Sequence, residues 1–305
     1  MTAKANESKT PSSGLISLRG VDHYYEWIVD PHTERPKPVL VFIHGWGGSG
    51  RYWRSTATAL AAHFDCLLYD MRGFGRSRLP DTPPNLSYEL EEYAEDLVAL
   101  LNAFNLDRVY LNAHSMGASV AVFFLNLYPE KVEKAILTCS GIFEYDEKAF
   151  AAFYKFGRYV VQLRYNWFLK IPFADRLFMA RFLHRPIPGP ERQAFLEDYL
   201  LADFDAAMGT IYTSVSKKAT EVMPGEFARL QVPTLLVAGE KDIIIPAAMG
   251  QEAAGLNTEF VEYFEIPKTA HFPMLEDSET YLPKVRDFLG IADECPSFPF
   301  SSNSR

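Results

Sequence analysis

Short hydrophobic runs alternate with longer amphipathic stretches along most of the chain. Several runs, such as VLVFI at 39–43 and TLLVA at 234–238, are apolar at consecutive positions, which is typical of strands buried on both faces of a parallel sheet. The amphipathic stretches repeat apolar residues at helical spacing, and this alternation predicts a wound α/β sheet. The predicted strands are 23–29, 39–43, 66–69, 109–112, 135–139, 234–238 and 260–266, and the predicted helices are 52–63, 88–104, 116–128, 247–254 and 279–289.

One stretch interrupts the alternation. Residues 142–227 predict helices separated by prolines, with no strand. A helical insertion between two strands is most simply a cap over the carboxyl edge of the sheet, where open α/β sheets bind ligands. We therefore divide the chain into a sheet domain of residues 15–141 and 228–292 and a helical cap of residues 142–227. Residues 1–14 and 293–305 are interpreted as disordered tails.

The composition is that of a globular protein and disfavours several functional classes. The 305 residues are 48% hydrophobic and 23% charged, and no apolar run reaches the roughly 18 residues of a spanning helix. The net charge of −9 disfavours nucleic acid as a partner. Three cysteines without a C-x-x-C pair disfavour disulfides and structural zinc. We therefore expect no metal and a cytoplasmic or other reducing compartment.

Ser115 is the candidate nucleophile. It lies in Ala113-His114-Ser115-Met116-Gly117, between a predicted strand and a predicted helix. A serine on such a tight turn is lifted above the sheet in front of a helix N-terminus. The turn requires small residues two positions before and after the serine; glycine is usual at the first, so Ala113 is a departure. The alternative interpretation is a serine that caps a helix.

His271 is the candidate general base. A serine hydroxyl becomes nucleophilic when a base removes its proton, and a third group must hold that base. His271 follows the last predicted strand, which places it at the same sheet edge as Ser115. His114 is expected to point away from the serine, and His44 more often braces its own loop. The remaining histidines fall in early strands, surface turns or the cap: His23, His32, His63 and His184.

Asp242 is the candidate acid that holds the base. It follows the predicted strand 234–238, at the same edge of the sheet. Its alternative role is to cap a turn or a helix, since Pro246 follows shortly. Glu144 and Asp146, after the preceding strand, are the rival acids.

Two backbone N–H groups are the candidate donors to the negative oxygen that attack on a carbonyl creates. Met116 follows the nucleophile, and Trp46 lies in the Gly-rich loop HGWGGSG after strand 39–43. Neither G-K-[ST] nor G-x-G-x-x-G is present, so we expect no nucleotide and no cofactor. The predicted substrate pocket contains Trp46, His44, Phe143 and Phe272.

These motifs resemble those of α/β-hydrolase-fold enzymes with a helical cap. The resemblance covers about residues 20–290 and rests on HGW at 44–46, DMRGFGRS at 70–77, the serine turn, and the chain order Ser115, Asp242, His271.

The resemblance implies a mostly parallel eight-stranded sheet flanked by helices, with the cap inserted after the sixth strand. It implies bracing roles for Asp70 and Arg72 and acyl transfer to water through an acyl-enzyme. We therefore expect a serine hydrolase that cleaves a carboxylic ester of a hydrophobic substrate. The alternatives are a C–C bond hydrolase or cofactor-free perhydrolase with the same triad, and a ligand sensor of the same fold.

The cap is both aromatic and basic. Residues 153–182 hold ten aromatic residues, and residues 155–185 hold seven basic residues against one acid, Asp175. One interpretation is a cap helix that packs its apolar face on the sheet domain, with solvated arginines. The other is a lid that rests on an anionic membrane surface and admits a lipophilic ester, which would make the protein membrane-associated.

Overall fold

The computed structural model describes residues 12–32, 36–144 and 146–291 and contains one eight-stranded sheet in the order β1-β2-β4-β3-β5-β6-β7-β8. Strands β3 to β8 pair parallel with one another, whereas β2 pairs antiparallel with β1 and with β4. The predicted mostly parallel sheet is therefore confirmed. Its strands are β1 Ser13–Leu18, β2 Val21–Ile28, β3 Val39–Ile43, β4 Asp65–Tyr69, β5 Val109–His114, β6 Val132–Thr138, β7 Thr234–Gly239 and β8 Val261–Ile266.

Helices cover both faces of the sheet and fill the insertion after β6. On β3, Val41 and Ile43 belong to one hydrophobic core and Leu40 and Phe42 to the other. This two-sided burial explains why the strand is apolar at consecutive positions. The helices are α1 Arg54–Leu60, α2 Leu90–Ala103, α3 Met116–Leu127, α4 Glu147–Gln162, α5 Ala174–Met179, α6 Gly189–Leu201, α7 Phe204–Ser214, α8 Lys217–Ala228, α9 Ala247–Gly255, α10 Pro273–Glu276 and α11 Ser278–Leu289.

The predicted N-terminal tail extends too far. Strand β1 begins at Ser13 and forms a hairpin with β2, joined by Arg19 and Gly20 at φ angles of 51° and 88°. As an edge strand, β1 alternates exposed and partly buried residues, so it lacks the continuous apolar run that marks the inner strands. Residues 1–11 of this predicted tail, and all of the predicted tail 293–305, lie outside the described residues.

The inserted helices are tied to loops of the sheet domain by ion pairs and hydrogen bonds to two aspartates. Asp198 of α6 accepts hydrogen bonds from Ser49 in the Gly-rich loop and from Arg51, which follows it. Asp203, before α7, accepts from Arg78 and from the N–H of Leu79. These contacts hold helices α6 and α7 over the carboxyl edge of the sheet. Over the described ranges, no helix has the length and apolar character needed to cross a membrane.

Candidate active site

Ser115 lies on a strained turn between β5 and α3. Its φ and ψ angles are 53° and −124°, outside the regions that L-residues ordinarily adopt, and such strain is typical of a positioned functional group. A Cβ at Gly117 would lie 2.3 Å from the carbonyl oxygen of His44, so only glycine fits there. The Ser115 side chain makes no capping hydrogen bond to α3. The helix-capping alternative is therefore wrong in this structure, and the hydroxyl is turned toward His271.

The structure brings the three predicted side chains together in a continuous hydrogen-bonded row. His271 Nε2 lies 3.0 Å from Ser115 Oγ, and His271 Nδ1 lies 2.7 Å from Asp242 Oδ2. The other carboxylate oxygen of Asp242 accepts from the N–H groups of Ile244 and Ile245. Asp242 thus caps the turn with one oxygen and orients His271 with the other, so both interpretations of this residue hold at once.

The electrostatics of the row favour an ionised acid. Burial acts to raise the pKa of Asp242, but the charge and hydrogen bond of His271 and two backbone N–H groups together hold it below its ordinary value. An ionised Asp242 accepts from Nδ1–H of His271, which leaves the Nε2 lone pair directed at the serine hydroxyl. The rival acids Glu144 and Asp146 are exposed at the surface.

His114 faces away from the serine, as expected, and joins a second chain of hydrogen bonds behind the triad. The N–H of Gly45 donates to Tyr52 Oη at 2.6 Å, Tyr52 Oη lies 2.9 Å from His114 Nδ1, and His114 Nε2 lies 2.6 Å from the carbonyl oxygen of His271. A carbonyl only accepts, so Nε2 of His114 carries the proton and its Nδ1 accepts from Tyr52. Burial lowers the pKa of His114 well below its ordinary value and keeps the ring neutral. This row of hydrogen bonds therefore links the Gly-rich loop to the backbone of His271.

The two predicted oxyanion donors are available. Within the described residues, no protein acceptor is bonded to the backbone N–H of Trp46 or of Met116. Gly45 keeps the loop close to Ser115, since a Cβ there would lie 3.0 Å from Ser115 Cβ. The indole Nε1 of Trp46 donates to the carbonyl oxygen of Ala207 in α7, so the loop that contains this predicted donor is tied to the cap.

Two of the predicted pocket residues have other roles in the structure. The fully buried His44 accepts from the N–H of Met71 at Nε2 and donates from Nδ1 to the carbonyl oxygen of Gly45. Phe272 is 1% exposed and packs against the rings of Tyr52, His114 and Phe195. The prediction that these side chains line the pocket is therefore wrong: His44 braces its loop, and Phe272 belongs to the core beneath His271.

The other two predicted pocket residues lie nearer to the surface. Trp46 is half-buried, with its ring centroid 6.0 Å from that of Tyr199 in the cap. Phe143 is half-buried after β6, and its place in the pocket stays a prediction.

The DMRGFGRS turn is structural. The buried Asp70 accepts from the N–H of Gly50 and from the Arg76 guanidinium. Arg72 is buried and donates to Asp96 and to the carbonyl oxygen of Ser87. Asp70 and Arg72 thus brace the loops around the site.

Cys139 and Glu276 belong to the surroundings of the triad and were not predicted. Cys139, at φ 51° after β6, is buried behind Asp242, and burial raises the pKa of its thiol. Glu276 accepts from the N–H groups of Ala270 and Phe272 with one oxygen and from those of His184 and Arg185 with the other. Cys139 contacts Ala270 from 131 positions away, and Glu276 reaches His184 and Arg185 about 90 positions away, so local sequence carries no signal for these contacts.

One cluster of metal-ligand types occurs among the residues described. The candidate ligand atoms of His114, Cys139 and His271 lie within 4.8 Å of one another. Both nitrogens of each ring already have protein partners, and a neutral buried thiol is a poor ligand. The cluster therefore does not fit a metal ion.

Comparison with known proteins agrees with this geometry. A family model described as the alpha/beta hydrolase fold matches residues 38–278. The chain is 27% identical over 237 residues to RutD of Pseudomonas savastanoi pv. phaseolicola, which is named a carbamate hydrolase; the match covers 71% of this chain and 80% of that protein.

Solved structures share the same fold. An esterase from Thermogutta terrifontis matches with a TM-score of 0.70 and 20% identity, covering 91% of this chain and 98% of its own. The enol-lactonase from Burkholderia xenovorans LB400 matches with a TM-score of 0.72 and 19% identity, covering 91% of this chain and 100% of its own. Together with the family match, the sheet order and the site geometry lead to one conclusion: the chain belongs to the α/β-hydrolase fold family.

Proposed function

We propose that the protein is a serine hydrolase that cleaves a carboxylic ester of a hydrophobic substrate through an acyl-enzyme. The observation that carries the proposal is the row from Ser115 Oγ through the His271 ring to Asp242, with contacts of 3.0 and 2.7 Å. Nucleophile, base and orienting acid are all within hydrogen-bonding reach, which is the arrangement that acyl transfer requires.

The reaction follows from this row in two halves. Ser115 Oγ attacks the carbonyl carbon while His271 Nε2 takes its proton, and the resulting oxyanion accepts from the N–H groups of Trp46 and Met116. Each such donor contributes about 2.7–4 kcal/mol to transition-state stabilisation. Protonated His271, held by Asp242, then gives its proton to the departing alkoxide. In the second half, water loses a proton to His271 and attacks the acyl carbon, and Ser115 regains its proton as the acid leaves.

Aromatic side chains of the cap support a hydrophobic substrate. The Phe182 ring lies 6.1 Å from the His271 ring, and Tyr199 lies 6.0 Å from Trp46. Apolar walls with a few convergent polar groups are typical of small-molecule sites. A carbamate, the group in the name of the RutD relative, presents a carbonyl to the same machinery and is the natural competitor to an ester.

The test compares turnover of a chain-length series of nitrophenyl esters and of a nitrophenyl carbamate by the wild type and two variants. We expect hydrolysis that improves with chain length and a loss of more than about 10⁴-fold in Ser115→Ala, since removal of a nucleophile has effects of that order. Ser119→Ala, one turn into α3, is the matched control and should keep wild-type turnover.

A fluorophosphonate probe followed by mass spectrometry should place the label on Ser115 alone. Full activity in Ser115→Ala, or a label on another serine, would refute the proposed nucleophile. Labelled Ser115 with turnover of the carbamate and of no ester would keep the mechanism and replace the substrate class. No labelling and no turnover would favour the ligand sensor.

A further inference from the structure

The cap presents an unusually apolar surface. Between residues 159 and 177, eight large hydrophobic side chains are more than a third exposed, and Leu177 is 82% exposed. Isolated exposed hydrophobic residues are ordinary, but a contiguous set marks a surface that a membrane or another molecule covers. The set, called the docking surface below, consists of Tyr159, Leu163, Tyr165, Trp167, Leu169, Ile171, Phe173 and Leu177.

The middle of the docking surface is a continuous exposed segment rather than scattered positions. Tyr165 and Trp167 are stacked with ring centroids 6.2 Å apart, and Trp167 is 54% exposed. Phe173 is 68% exposed and has a φ angle of 63°. A bulky residue in the left-handed region is strained. Here the strain accompanies an aromatic ring that faces solvent.

Cations flank the docking surface without local neutralisation. Lys155, Arg158, Lys170, Arg176 and Arg181 are all exposed, and none makes an ion pair within the part of the chain that the structure describes. The one acid of the region, Asp175, is paired with Arg192 of α6 at 2.8 Å. An exposed aromatic segment bordered by unpaired cations thus stands on a protein of net charge −9.

From this juxtaposition we infer that the docking surface binds the surface of an anionic lipid bilayer. Aromatic and aliphatic side chains enter the boundary between headgroups and acyl chains, and Lys or Arg side chains bind the anionic headgroups. A second copy of the chain fits less well, because a two-fold contact places the same patch on both partners. That arrangement would bring unpaired cations against one another.

The docking surface leads toward the catalytic histidine. Beyond Leu177, the Phe178 ring lies 5.8 Å from that of Phe182, which lies 6.1 Å from the ring of His271. The N–H of His271 also donates to the carbonyl oxygen of Phe182 at 2.9 Å. If the proposed function holds, this aromatic route would deliver a lipophilic ester from the bilayer to Ser115. Membrane binding itself does not depend on that chemistry.

The test is co-sedimentation of the full chain with phosphatidylglycerol vesicles and with phosphatidylcholine vesicles. We expect binding to the anionic vesicles at low salt, weaker binding as salt screens the charges, and little binding to the neutral vesicles. Trp167 serves as an internal reporter: vesicles with brominated acyl chains should quench its fluorescence, and Trp167→Phe should lose most of that quenching while still sedimenting. Ser115→Ala should bind like the wild type, which separates this proposal from the proposed function.

Two double variants test the two components of the docking surface. Lys170→Gln with Arg176→Gln should weaken binding to anionic vesicles about 30-fold, as expected for two surface cations. Phe173→Ser with Leu177→Ser should weaken it at least about tenfold. Both pairs are exposed, so the fold should be unaffected.

The matched control is Leu127→Ser with Arg108→Gln. Leu127 ends α3 and Arg108 precedes β5, so both are exposed at the opposite edge of the sheet, and this variant should bind like the wild type. No binding at low salt, equal binding to both lipids, or equal losses in control and test variants would overturn the inference. So would a dimer in sedimentation velocity that Phe173→Ser with Leu177→Ser dissociates, since a second copy would then be the occupant.

Discussion

At the scale of single residues, the hydroxyl group of Tyr52 connects two parts of the site that lie far apart in the chain. It accepts from the N–H of Gly45 and donates to His114, which in turn donates to the backbone of His271. All of these groups are buried. A buried polar group that loses its partner destabilises the protein by about 1–3 kcal/mol. Here we expect the loss also to loosen the loop that holds His271, the proposed general base.

Tyr52→Phe is therefore expected to lower both stability and kcat. Removal of the hydroxyl leaves the N–H of Gly45 and the Nδ1 of His114 unpaired, so we expect a loss of about 1–3 kcal/mol in urea unfolding. We also expect kcat for a nitrophenyl ester to fall about tenfold with KM nearly unchanged, because orientation rather than substrate contact is lost. Tyr93→Phe is the control: it removes a buried hydroxyl bonded to the carbonyl of Arg72. It should lower stability and leave kcat unchanged. Equal kcat losses in both variants would contradict a positioning role for Tyr52.

The sequence predicted which residues at strand ends come together at the site better than it predicted which neighbouring side chains line the pocket. Ser115, Asp242 and His271 each follow an apolar run, and parallel strands bring their carboxyl ends to one edge. His44 and Phe272 also follow or flank such positions, but their side chains face inward. Direction at a strand end depends on backbone angles that local pattern does not reveal.

At the scale of elements, the inner strands were predicted closely, whereas the edge strand β1 was missed. Strand β3 matches its predicted range and β7 extends one residue further, because burial on both faces leaves a continuous apolar run. Strand β1 carries no such run. Its strand conformation depends on backbone pairing with β2 rather than on apolar residues of its own. The attachment of the cap could not be predicted from the sequence either, because it depends on contacts such as those of Glu276 with residues about 90 positions away.

Glu276 ties the cap segment at His184 and Arg185 to the loop of His271 through one carboxylate. It accepts N–H bonds from the His271 loop with one oxygen and from His184 and Arg185 with the other. Glu276→Gln turns one acceptor into a donor that faces N–H groups, and a hydrogen bond to a charged group is worth about 1.5–3 kcal/mol. We expect the amides of His184 and Arg185 to exchange about 10- to 100-fold faster with solvent, with a parallel fall in kcat/KM.

The matched control for this substitution is Glu240→Gln. Glu240 also accepts a backbone N–H bond near the His271 loop, from Lys268, but its carboxylate is exposed. The Glu240→Gln substitution should leave both the amide exchange rates of His184 and Arg185 and kcat/KM unchanged. Unaltered exchange in Glu276→Gln would show that the cap is held by its other contacts, such as that between Phe182 and His271.

At the scale of the whole molecule, the protein buries several histidines in neutral form. Burial lowers the pKa of His23, His44 and His114 below the ordinary value of 6.5. Between the lowered pKa and 6.5 the unfolded chain binds a proton that the folded chain does not, so the folded state is favoured more as pH rises. The full contribution is present above pH 6.5 and is lost as pH falls through this window.

The free energy of unfolding should therefore decrease from pH 7.5 to pH 5.5, by up to about 1.4 kcal/mol per pH unit for each such histidine below 6.5. His23 offers the cleanest test, because it lies on β2 and its ring makes a 3.3 Å contact with the carbonyl oxygen of Asp70 rather than with the triad. Urea unfolding of His23→Gln should show a shallower decline than the wild type, whereas His32→Gln, at an exposed position, should show the wild-type decline. An unchanged slope in His23→Gln would mean that the folded chain accommodates the charged ring, and that the acid sensitivity arises elsewhere in the molecule.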